Sequence, residues 1–365
     1  MTRINKLFVL IITGAALISC SPLKHTAGID TRKAKNVIFL IGDGMGSAQV
    51  YAAITASNKP LNIERMQSTG FQKTYSANAY ITDSGAAGTA LATGTKTNNG
   101  AIGVDPKGNV LKSILEIAEE NGLSTGLVAS ASVTHATPAS FIAHQGSRGS
   151  YEDIASDFLK TDIDLFIGGG LNHFTKRTDG KDLTETLRAN GYAVETTLDG
   201  VLKSNASKLA GLIYDDQPPY RLKGRGDMLP ATTAKAIEIL SKNKKGFFLM
   251  VEGSQIDWAG HANAADTLID ETLDFDRAIG VALDFAAKNK RTLVVVTGDH
   301  ETGGVTITGG DINLRKTVLS FSTRGHSGIT LPVYASGPGA YKFTGIYDNT
   351  RIPMKILEAF RFPAY

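Results

Sequence analysis

The chain has 365 residues, of which 42% are hydrophobic and 20% charged, a balance typical of a globular enzyme with a large core. The formal charge of +3 gives no reason to predict nucleic-acid binding, and a single cysteine excludes a disulfide within the chain. The length allows one large domain or two smaller ones.

The first predicted element is an export signal at residues 1–19. Two basic residues precede an apolar run that is short for a membrane span and continues through small residues. The letters LISC resemble a bacterial lipoprotein cleavage box, which makes Cys20 the predicted lipidated residue. The alternative is a plain signal peptide with an incidental cysteine. Residues 20–35 are then a tether, and the protein is expected in the periplasm or cell envelope.

Six nearly continuous apolar runs of strand length come next and predict strands that are covered on both faces. They are residues 36–42, 124–130, 164–170, 246–253, 292–298 and 331–337. Apolar residues at helical spacing lie between them, at 110–122, 231–243 and 270–289. This alternation predicts an α/β three-layer sandwich with a largely parallel central sheet. The more polar stretch 171–230 is predicted to be an excursion from the sheet.

Charged side chains lie at the ends of the predicted strands, and His326 lies just before the last of them. The carboxyl ends of parallel strands meet at one edge of a sheet. The charged side chains are Asp43, Glu252, Asp257, His261, Asp299, His300 and His326. Each alone is a weak indication, because an Asp in a glycine turn is usually a turn former. Together, the carboxylates would repel one another and be costly to bury unless cations lie among them. The set predicts divalent metals: mixed Asp/His ligation suits Zn²⁺, and an oxygen site with Glu suits Mg²⁺.

The stretch VIFLIGDGMGSAQ is similar to the start of a phosphate-binding strand–loop–helix unit, but Asp43 occupies its loop. Ser47 also stands where a dinucleotide loop needs its last glycine, which argues against a dinucleotide-dependent oxidoreductase. Asp43 is therefore predicted to hold a metal that in turn holds phosphate. Asp257 and His261, four residues apart, would share one face of a helix.

The predicted nucleophile is Ser84, which follows Asp83 and opens the small-residue run GAAGTALATG. The run could begin a helix, and a helix N-terminus favours anions. A serine hydroxyl bound to Zn²⁺ would lose its proton near neutral pH and become a strong nucleophile. The alternative is that Thr82, Asp83 or Ser84 is merely an N-cap.

Several motifs together resemble the alkaline phosphatases, and most of all their compact cold-active bacterial members. They are IGDGMG, TDSGAAGTALATGTKTNNGAIGVD, THATPAS, VEGSQIDWAGHAN, VVVTGDHETGG and GHSG with PVYASGPG. They occur in the family's order across nearly the whole chain after the leader, which implies one domain over residues 36–365. The resemblance implies hydrolysis of phosphate monoesters through a phosphoserine at Ser84, with broad specificity and an alkaline optimum. It also implies two Zn²⁺ and one Mg²⁺ per chain, and a homodimer.

The same resemblance implies roles for individual residues. Three residues match the ligands of the first zinc: Asp257, His261 and His326. The ligands of the second zinc are matched by Asp43, Asp299 and His300. Those of the magnesium site are matched by Asp43, Thr137 and Glu252. Arg148 matches the arginine that holds phosphate through two oxygens, as a guanidinium group does well.

Two positions depart from the enterobacterial form of the family. His135 stands where that form has an aspartate near magnesium, so it either orients magnesium-bound water or competes as a ligand. The identity of the third metal is therefore undecided: it is Mg²⁺, Zn²⁺ or another ion. Trp258 stands where that form has a lysine near the phosphate, and it either stacks on the substrate or packs. His135, Trp258 and Asp83 are taken as residues that support the ligands and the nucleophile.

Two competing functions are compatible with the same residues. One is a phosphodiesterase of the same superfamily, which would need room for a second ester group. The other is a lipid-anchored protein that binds metal or phosphate without turnover. The complete nucleophile motif and Arg148 favour catalysis over mere binding.

Overall fold

Runs of β-branched and aromatic residues form the strands at the centre of the protein. The computed structural model describes residues 30–362, so the predicted signal peptide and Cys20 lie outside the described residues. The strands are β1 (Asn36–Gly42), β2 (Ser68–Lys73), β3 (Ser124–Ser132), β4 (Leu165–Gly169), β5 (Ala193–Glu195), β6 (Leu209–Tyr214), β7 (Phe247–Gly253), β8 (Thr292–Gly298), β9 (Glu301–Thr302), β10 (Val305–Asp311), β11 (Lys316–Phe321), β12 (His326–Ser327), β13 (Leu331–Ser336) and β14 (Gly345–Asp348).

Helices connect most of these strands, as the alternation in the sequence predicts. They are α1 (Ser47–Ala56), α2 (Ser84–Thr93), α3 (Ile114–Glu120), α4 (Ala136–Ala139), α5 (Tyr151–Asp157), α6 (Leu171–Thr175), α7 (Leu183–Ala189), α8 (Leu198–Lys203), α9 (Met228–Leu240), α10 (Gln255–His261), α11 (Ala265–Asn289) and α12 (Arg351–Phe360). Short 3₁₀ turns lie at Asn62–Arg65, Arg221–Lys223 and Ala340–Phe343. Between residues 30 and 362, no helix combines the length and the apolarity needed to cross a bilayer.

Ten strands of the described chain form one sheet in the order β14-β2-β13-β8-β1-β7-β3-β4-β6-β5. β13 runs antiparallel to β2 and β8, and the other pairs of neighbours are parallel. The central strands β1, β7 and β8 are buried along their whole length, which explains why their sequences are apolar without alternation.

Side chains of each central strand alternate between two hydrophobic cores, one on each face of the sheet. On β1, Phe39 and Ile41 pack into the core that includes α2, α3 and α12, whereas Ile38 and Leu40 pack into the core that includes α1, α9 and α11. Helices therefore cover both faces, and the predicted three-layer α/β sandwich is confirmed.

The stretch 171–230, predicted to be an excursion, lies outside the sheet for most of its length but returns to it twice. It supplies β5 and β6, which extend the sheet beyond β4. The run Leu209–Tyr214 is apolar and mostly buried, but it is short and stands among polar turns, so its strand signal is weak. Strands β2 and β14 at the opposite end were not predicted either, because their faces are less completely covered and their sequences are correspondingly mixed.

The end of the predicted tether belongs to the folded part of the chain. Ala34 is buried, and its amide donates a hydrogen bond of 2.9 Å to the carbonyl of Ala359 at the end of α12. Arg361 in turn donates a hydrogen bond to the carbonyl of Thr31. These contacts fix where the chain enters the domain, next to the amino ends of the parallel strands.

Candidate active site

The turn after β1 places Asp43 at the centre of the carboxyl edge of the sheet. The end of β1 is level with the ends of β7 and β8, so Asp43 lies beside Glu252 and Asp299. Gly44 makes the turn possible, because its φ is 72° and a Cβ there would lie 2.7 Å from the Cα of Asp257. Carboxylates from separate chain segments therefore meet in the interior. The side chains of Asp43, Glu252, Asp299 and Asp257 are all at most 5% exposed.

Three groups of side chains at this edge could each hold a metal ion, because their ligand atoms lie within 4.8 Å of one another. Cluster 1 is Asp257, His261 and His326; cluster 2 is Asp43, Asp299 and His300; cluster 3 is Asp43, His135 and Glu252. The strand-end residues singled out in the sequence are thus all brought together. In cluster 3, His135 stands at ligand distance, while Thr137 Oγ1 donates a hydrogen bond of 3.4 Å to Asp43 Oδ2.

Cluster 1 is built around one carboxylate oxygen. His261 Nε2 lies 3.3 Å and His326 Nε2 lies 3.5 Å from Asp257 Oδ1, and the two nitrogens are 3.2 Å apart. The other ring nitrogens face backbone carbonyls, that of His261 at Arg324 and that of His326 at Thr82. Such contacts fix a ring so that its remaining nitrogen is available to a metal.

Cluster 2 lies beside the hydroxyl of the predicted nucleophile. His300 Nε2 is 3.2 Å from Asp43 Oδ1 and 3.3 Å from Asp299 Oδ2. The same nitrogen is 3.1 Å from Ser84 Oγ. The ring of His300 also stacks on His326, with centroids 3.6 Å apart, so clusters 1 and 2 share a wall. A phosphate group held near Ser84 would contact both.

The carboxylates of clusters 2 and 3 are held in an unfavourable environment. Burial, followed by repulsion from Asp299, raises the pKa of Asp43 well above its ordinary value. Burial also raises the pKa of Glu252 to about 8 and that of Asp299 to about 7. Crowded carboxyls with raised pKa values mark a site that needs added positive charge.

Cluster 1 is electrostatically different because its carboxylate has basic partners. Burial opposes ionisation of Asp257, but hydrogen bonds from His261 and His326 outweigh it and hold its pKa well below the ordinary value. The hydrogen bond to Asp257 raises the pKa of His261 to about 9. This cluster can balance its charge by protonation of a histidine, which clusters 2 and 3 cannot do.

Unpaired oxygens show that the donor set fits divalent cations. Asp43 Oδ1, Glu252 Oε1 and Asp299 Oδ2 are buried and have no hydrogen-bond partner among the described residues. Buried polar atoms are normally paired, and a carboxylate oxygen without a donor is suited to a metal. Imidazole with carboxylate in clusters 1 and 2 suits Zn²⁺, and the Glu252 oxygens of cluster 3 suit Mg²⁺.

Asp83 joins the first turn of α2 to Arg148. Ser84 is the first residue of α2, and the N-cap is Asp83, whose Oδ1 accepts the amide of Ala86 at 2.9 Å. Asp83 Oδ2 accepts hydrogen bonds of 3.0 Å from Arg148 Nη1 and from the amide of Gly100. Asp83 therefore caps the helix and also fixes the guanidinium group, so the N-cap alternative accounts for Asp83 and leaves the Ser84 hydroxyl free to face cluster 2.

His135, a member of cluster 3, contacts both Trp258 and Arg148. The rings of His135 and Trp258 meet edge to face, with centroids 5.8 Å apart and an interplanar angle of 82°. Arg148 Nη2 is 3.4 Å from His135 Nε2. Burial lowers the pKa of His135 to about 4, so its imidazole is neutral at physiological pH. Trp258 thus packs on a candidate ligand, in keeping with the packing alternative for this residue.

Sequence reasoning missed two residues that brace the histidines. Glu301 is buried and accepts hydrogen bonds from Gln49, from two backbone amides and from the hydroxyl of Ser327, the neighbour of His326. The hydroxyl of Thr302 donates to Asp257 Oδ1. Both residues follow directly after His300 in the stretch GDHETGG, so position next to a ligand was the one signal that could have found them.

Comparison with known proteins decides the family. The model of the alkaline phosphatase family matches residues 34–323. The chain belongs to the alkaline phosphatase family. Alkaline phosphatase 4 of Bacillus subtilis is 36% identical, with 90% of each chain covered, and the Escherichia coli alkaline phosphatase is 34% identical, with 88% of this chain and 85% of that one covered.

Solved structures of alkaline phosphatases share the fold as well. The enzyme of the Antarctic bacterium TAB5 superimposes with a TM-score of 0.87 at 44% identity, over 91% of this chain and 100% of that one. A variant of that enzyme with a histidine replaced by aspartate carries Mg in its M3 site. The chain is therefore a phosphoric monoester hydrolase, and the phosphodiesterase and non-catalytic alternatives are not favoured.

The charge balance of the alkaline phosphatase site predicts how the metal-free protein responds to pH. Glu252 and Asp299 have raised folded-state pKa values of about 8 and 7, so the folded state loses stability relative to the unfolded chain as pH rises through them. His261, raised from 6.5 to about 9, loses stabilisation in the same direction. We expect the Tm of metal-free protein to fall from pH 6.5 to pH 9, measured by calorimetry.

Saturation with Zn²⁺ and Mg²⁺ should remove most of this decline, because bound cations stabilise the ionised carboxylates. Glu252→Gln, which cannot ionise, should flatten the metal-free profile. A metal-free protein that is more stable at pH 9 than at pH 6.5 would contradict the raised pKa values of these buried carboxyl groups.

Proposed function

We propose that Ser84 is the nucleophile of a two-step hydrolysis of phosphate monoesters. The observation that carries this assignment is the position of its hydroxyl, 3.1 Å from His300 Nε2 at the start of α2 and facing cluster 2. Ser84 is buried, so its hydroxyl is shielded from bulk water. The first-turn amides of α2 and the helix dipole favour an anion at this point.

Arg148 would bind two non-bridging oxygens of the phosphate, and Asp83 would hold its guanidinium plane in place. Ser84 Oγ then forms a bond to phosphorus as the bond to the alcohol oxygen breaks on the opposite side. Water next cleaves the phosphoserine, which releases inorganic phosphate and restores the hydroxyl. Positioning and charge neutralisation are the main sources of rate in such transfers.

Two Zn²⁺ and one Mg²⁺ are the proposed cofactors. Clusters 1 and 2 would hold zinc, and cluster 3, together with Thr137, would hold magnesium. Bound there, such ions supply Lewis acidity that lowers the pKa of the serine hydroxyl and of water and stabilises the leaving oxygen. The alcohol group of the ester makes no required contact in this scheme, so broad specificity is expected. The alkaline optimum is an expectation from the family resemblance.

Replacement of the nucleophile tests the mechanism. In Ser84→Ala, kcat for nitrophenyl phosphate should fall by roughly 10³-fold or more, because the covalent step is lost. Zinc and magnesium contents should remain near normal, since Ser84 supplies no carboxylate or imidazole to the clusters. Ser156→Ala removes a hydroxyl on α5 and is the matched control, with unchanged kcat expected. Native turnover in Ser84→Ala would refute the nucleophile.

A second substitution tests which ion cluster 3 prefers. Replacement of the neutral imidazole in His135→Asp adds a charged oxygen ligand, which Mg²⁺ prefers to nitrogen. We expect tighter Mg²⁺ binding by equilibrium dialysis, in line with the TAB5 variant that carries Mg in its M3 site. His135→Asn adds oxygen without charge and should bind Mg²⁺ less tightly than His135→Asp. Equal Mg²⁺ affinity in wild type and His135→Asp would contradict this role.

We also propose export of the protein to the periplasm or cell envelope, with a lipid anchor on Cys20. The supports are the leader-like residues 1–19 and the LISC box. The full-length product should partition into the detergent phase, whereas Cys20→Ser should remain in the aqueous phase. Detergent partition of both would contradict the lipid anchor.

The homodimer is a proposal from the family resemblance, and sedimentation velocity tests it.

A further inference from the structure

The amino ends of the central strands carry an unusual concentration of positive charge. The segments before β1, β7 and β8 are residues 33–35, 241–246 and 288–291, and they contain two, three and three basic residues and no acidic one. Arg361, just after α12, adds another. We call these segments with Arg361 the basic face. The whole chain has 38 basic and 35 acidic residues, so composition alone does not explain a face of one sign.

Strand register makes these segments neighbours in space. Asn36 of β1 pairs with Thr292 of β8, and the next residue of β1 pairs with Phe248 of β7, so the three strands start level. The amide of Lys35 donates to the carbonyl of Arg291 at 2.8 Å. Gly246, with a φ of 120°, lies so close to Lys35 that a Cβ would overlap its carbonyl oxygen. The basic side chains therefore project from one continuous surface.

The charge of the basic face is available to a partner. Its lysines and arginines are exposed, except for the half-buried Lys35, and none has an ion pair among the residues that the structure describes. Asp30 and Asp284, in adjoining segments, have ion pairs with Arg32 and Arg65, which lie outside the basic face. The positive potential of the basic face is therefore not cancelled by its immediate surroundings.

A cavity in the basic face combines cations with apolar walls. It has a volume of about 310 Å³ and is lined by Lys33, Lys35, Lys245 and Arg361 together with the aromatic rings of Phe360 and Phe362. Basic side chains next to aromatic ones suit an amphipathic anion, such as a phospholipid headgroup with the start of its acyl chains. A free phosphate ion has no apolar part that could pack against the aromatic side chains.

We propose that the basic face binds the surface of an anionic phospholipid bilayer. Charge complementarity supports this partner, since clustered basic residues near a membrane attract anionic lipids. The path of the chain supports it too, because residues 30–35 enter the domain at this face. Cys20 lies ten residues before Asp30 and could reach at most about 35 Å from it.

The orientation that follows suits the phosphatase. The catalytic clusters lie at the opposite ends of β1, β7 and β8, roughly 20 Å away along seven-residue strands. A protein bound through the basic face would point its active site away from the membrane, towards soluble esters. This consequence rests on the proposed export and Cys20 anchor, and an acyl group with a polybasic surface would hold the protein more firmly than either alone.

Vesicle binding by a protein without the acyl group tests the proposal. The mature chain from residue 20 with Cys20→Ser is mixed with phosphatidylcholine vesicles, with or without phosphatidylglycerol, and sedimented. Binding is expected only with phosphatidylglycerol. It should weaken strongly with added salt, because the Debye length falls from about 30 Å at 0.01 M to about 3 Å at 1 M.

Two matched triple variants locate the contact. The face variant carries Lys244→Glu, Lys245→Glu and Lys290→Glu, and its partition coefficient should fall by about a hundredfold or more. The control variant reverses three exposed lysines outside the basic face and so has the same net charge: Lys107→Glu, Lys181→Glu and Lys316→Glu. Its partition coefficient should fall by less than about tenfold. Equal losses in the two variants, or equal binding to neutral vesicles, would overturn the proposal.

Two further readouts distinguish a bilayer from a small soluble anion and membrane binding from catalysis. Competition by millimolar soluble glycerophosphoglycerol, a phosphodiester that a monoester hydrolase does not consume, would show a site for a phosphate anion instead of a bilayer, and would also overturn the proposal. Phosphatase activity and Tm are measured on every sample. Activity should be the same in both triple variants as in the Cys20→Ser parent protein. If the parent protein had no phosphatase activity, the proposed mechanism would be contradicted, but the vesicle result would still stand.

Discussion

The constraint on which the site depends is the burial of carboxylates that cannot neutralise one another. Asp43, Glu252 and Asp299 meet at the carboxyl edge of a parallel sheet because the ends of β1, β7 and β8 are level. Each is fully buried, and each keeps an oxygen without a hydrogen-bond partner among the described residues. Such an arrangement is costly in the folded protein unless cations occupy it, so fold stability and metal binding are coupled here.

The three clusters solve this charge problem in different ways. Around Asp257, the histidines can carry protons, and the pKa values of Asp257 and His261 move apart accordingly. Around Asp43, His300 cannot help, because burial and then the nearby His326 keep its pKa well below the ordinary value. Metal loss should therefore disturb clusters 2 and 3 more than cluster 1. The hydroxyl of Ser84 lies at cluster 2, where the demand for positive charge is strong.

The central architecture and most of the site could be predicted from the sequence, for a physical reason. Strands covered on both faces must be continuously apolar, so β1, β7 and β8 can be recognised in the sequence. The carboxyl ends of parallel strands meet at one edge, so the acidic residues at those ends are predicted to cluster. The edge strands β5 and β14 have only three and four residues, none of them fully buried, so their signal is lost among turns. Arg148 has no local signature either, and only the family resemblance identified it.

Contacts between distant segments could not be read from the sequence at all. The hydrogen bonds between Ser327 and Glu301 and between Arg148 and Asp83 join residues whose separation in the sequence matches no helix or strand periodicity. The basic face belongs to the same class. Its three segments are far apart in the chain, and each short run of basic residues is typical of an ordinary solvated surface when taken alone. Only the level starts of β1, β7 and β8 bring them together, by the same register that gathers the carboxylates at the other end. One feature of the parallel sheet thus builds both the acidic catalytic edge and the positive surface opposite it.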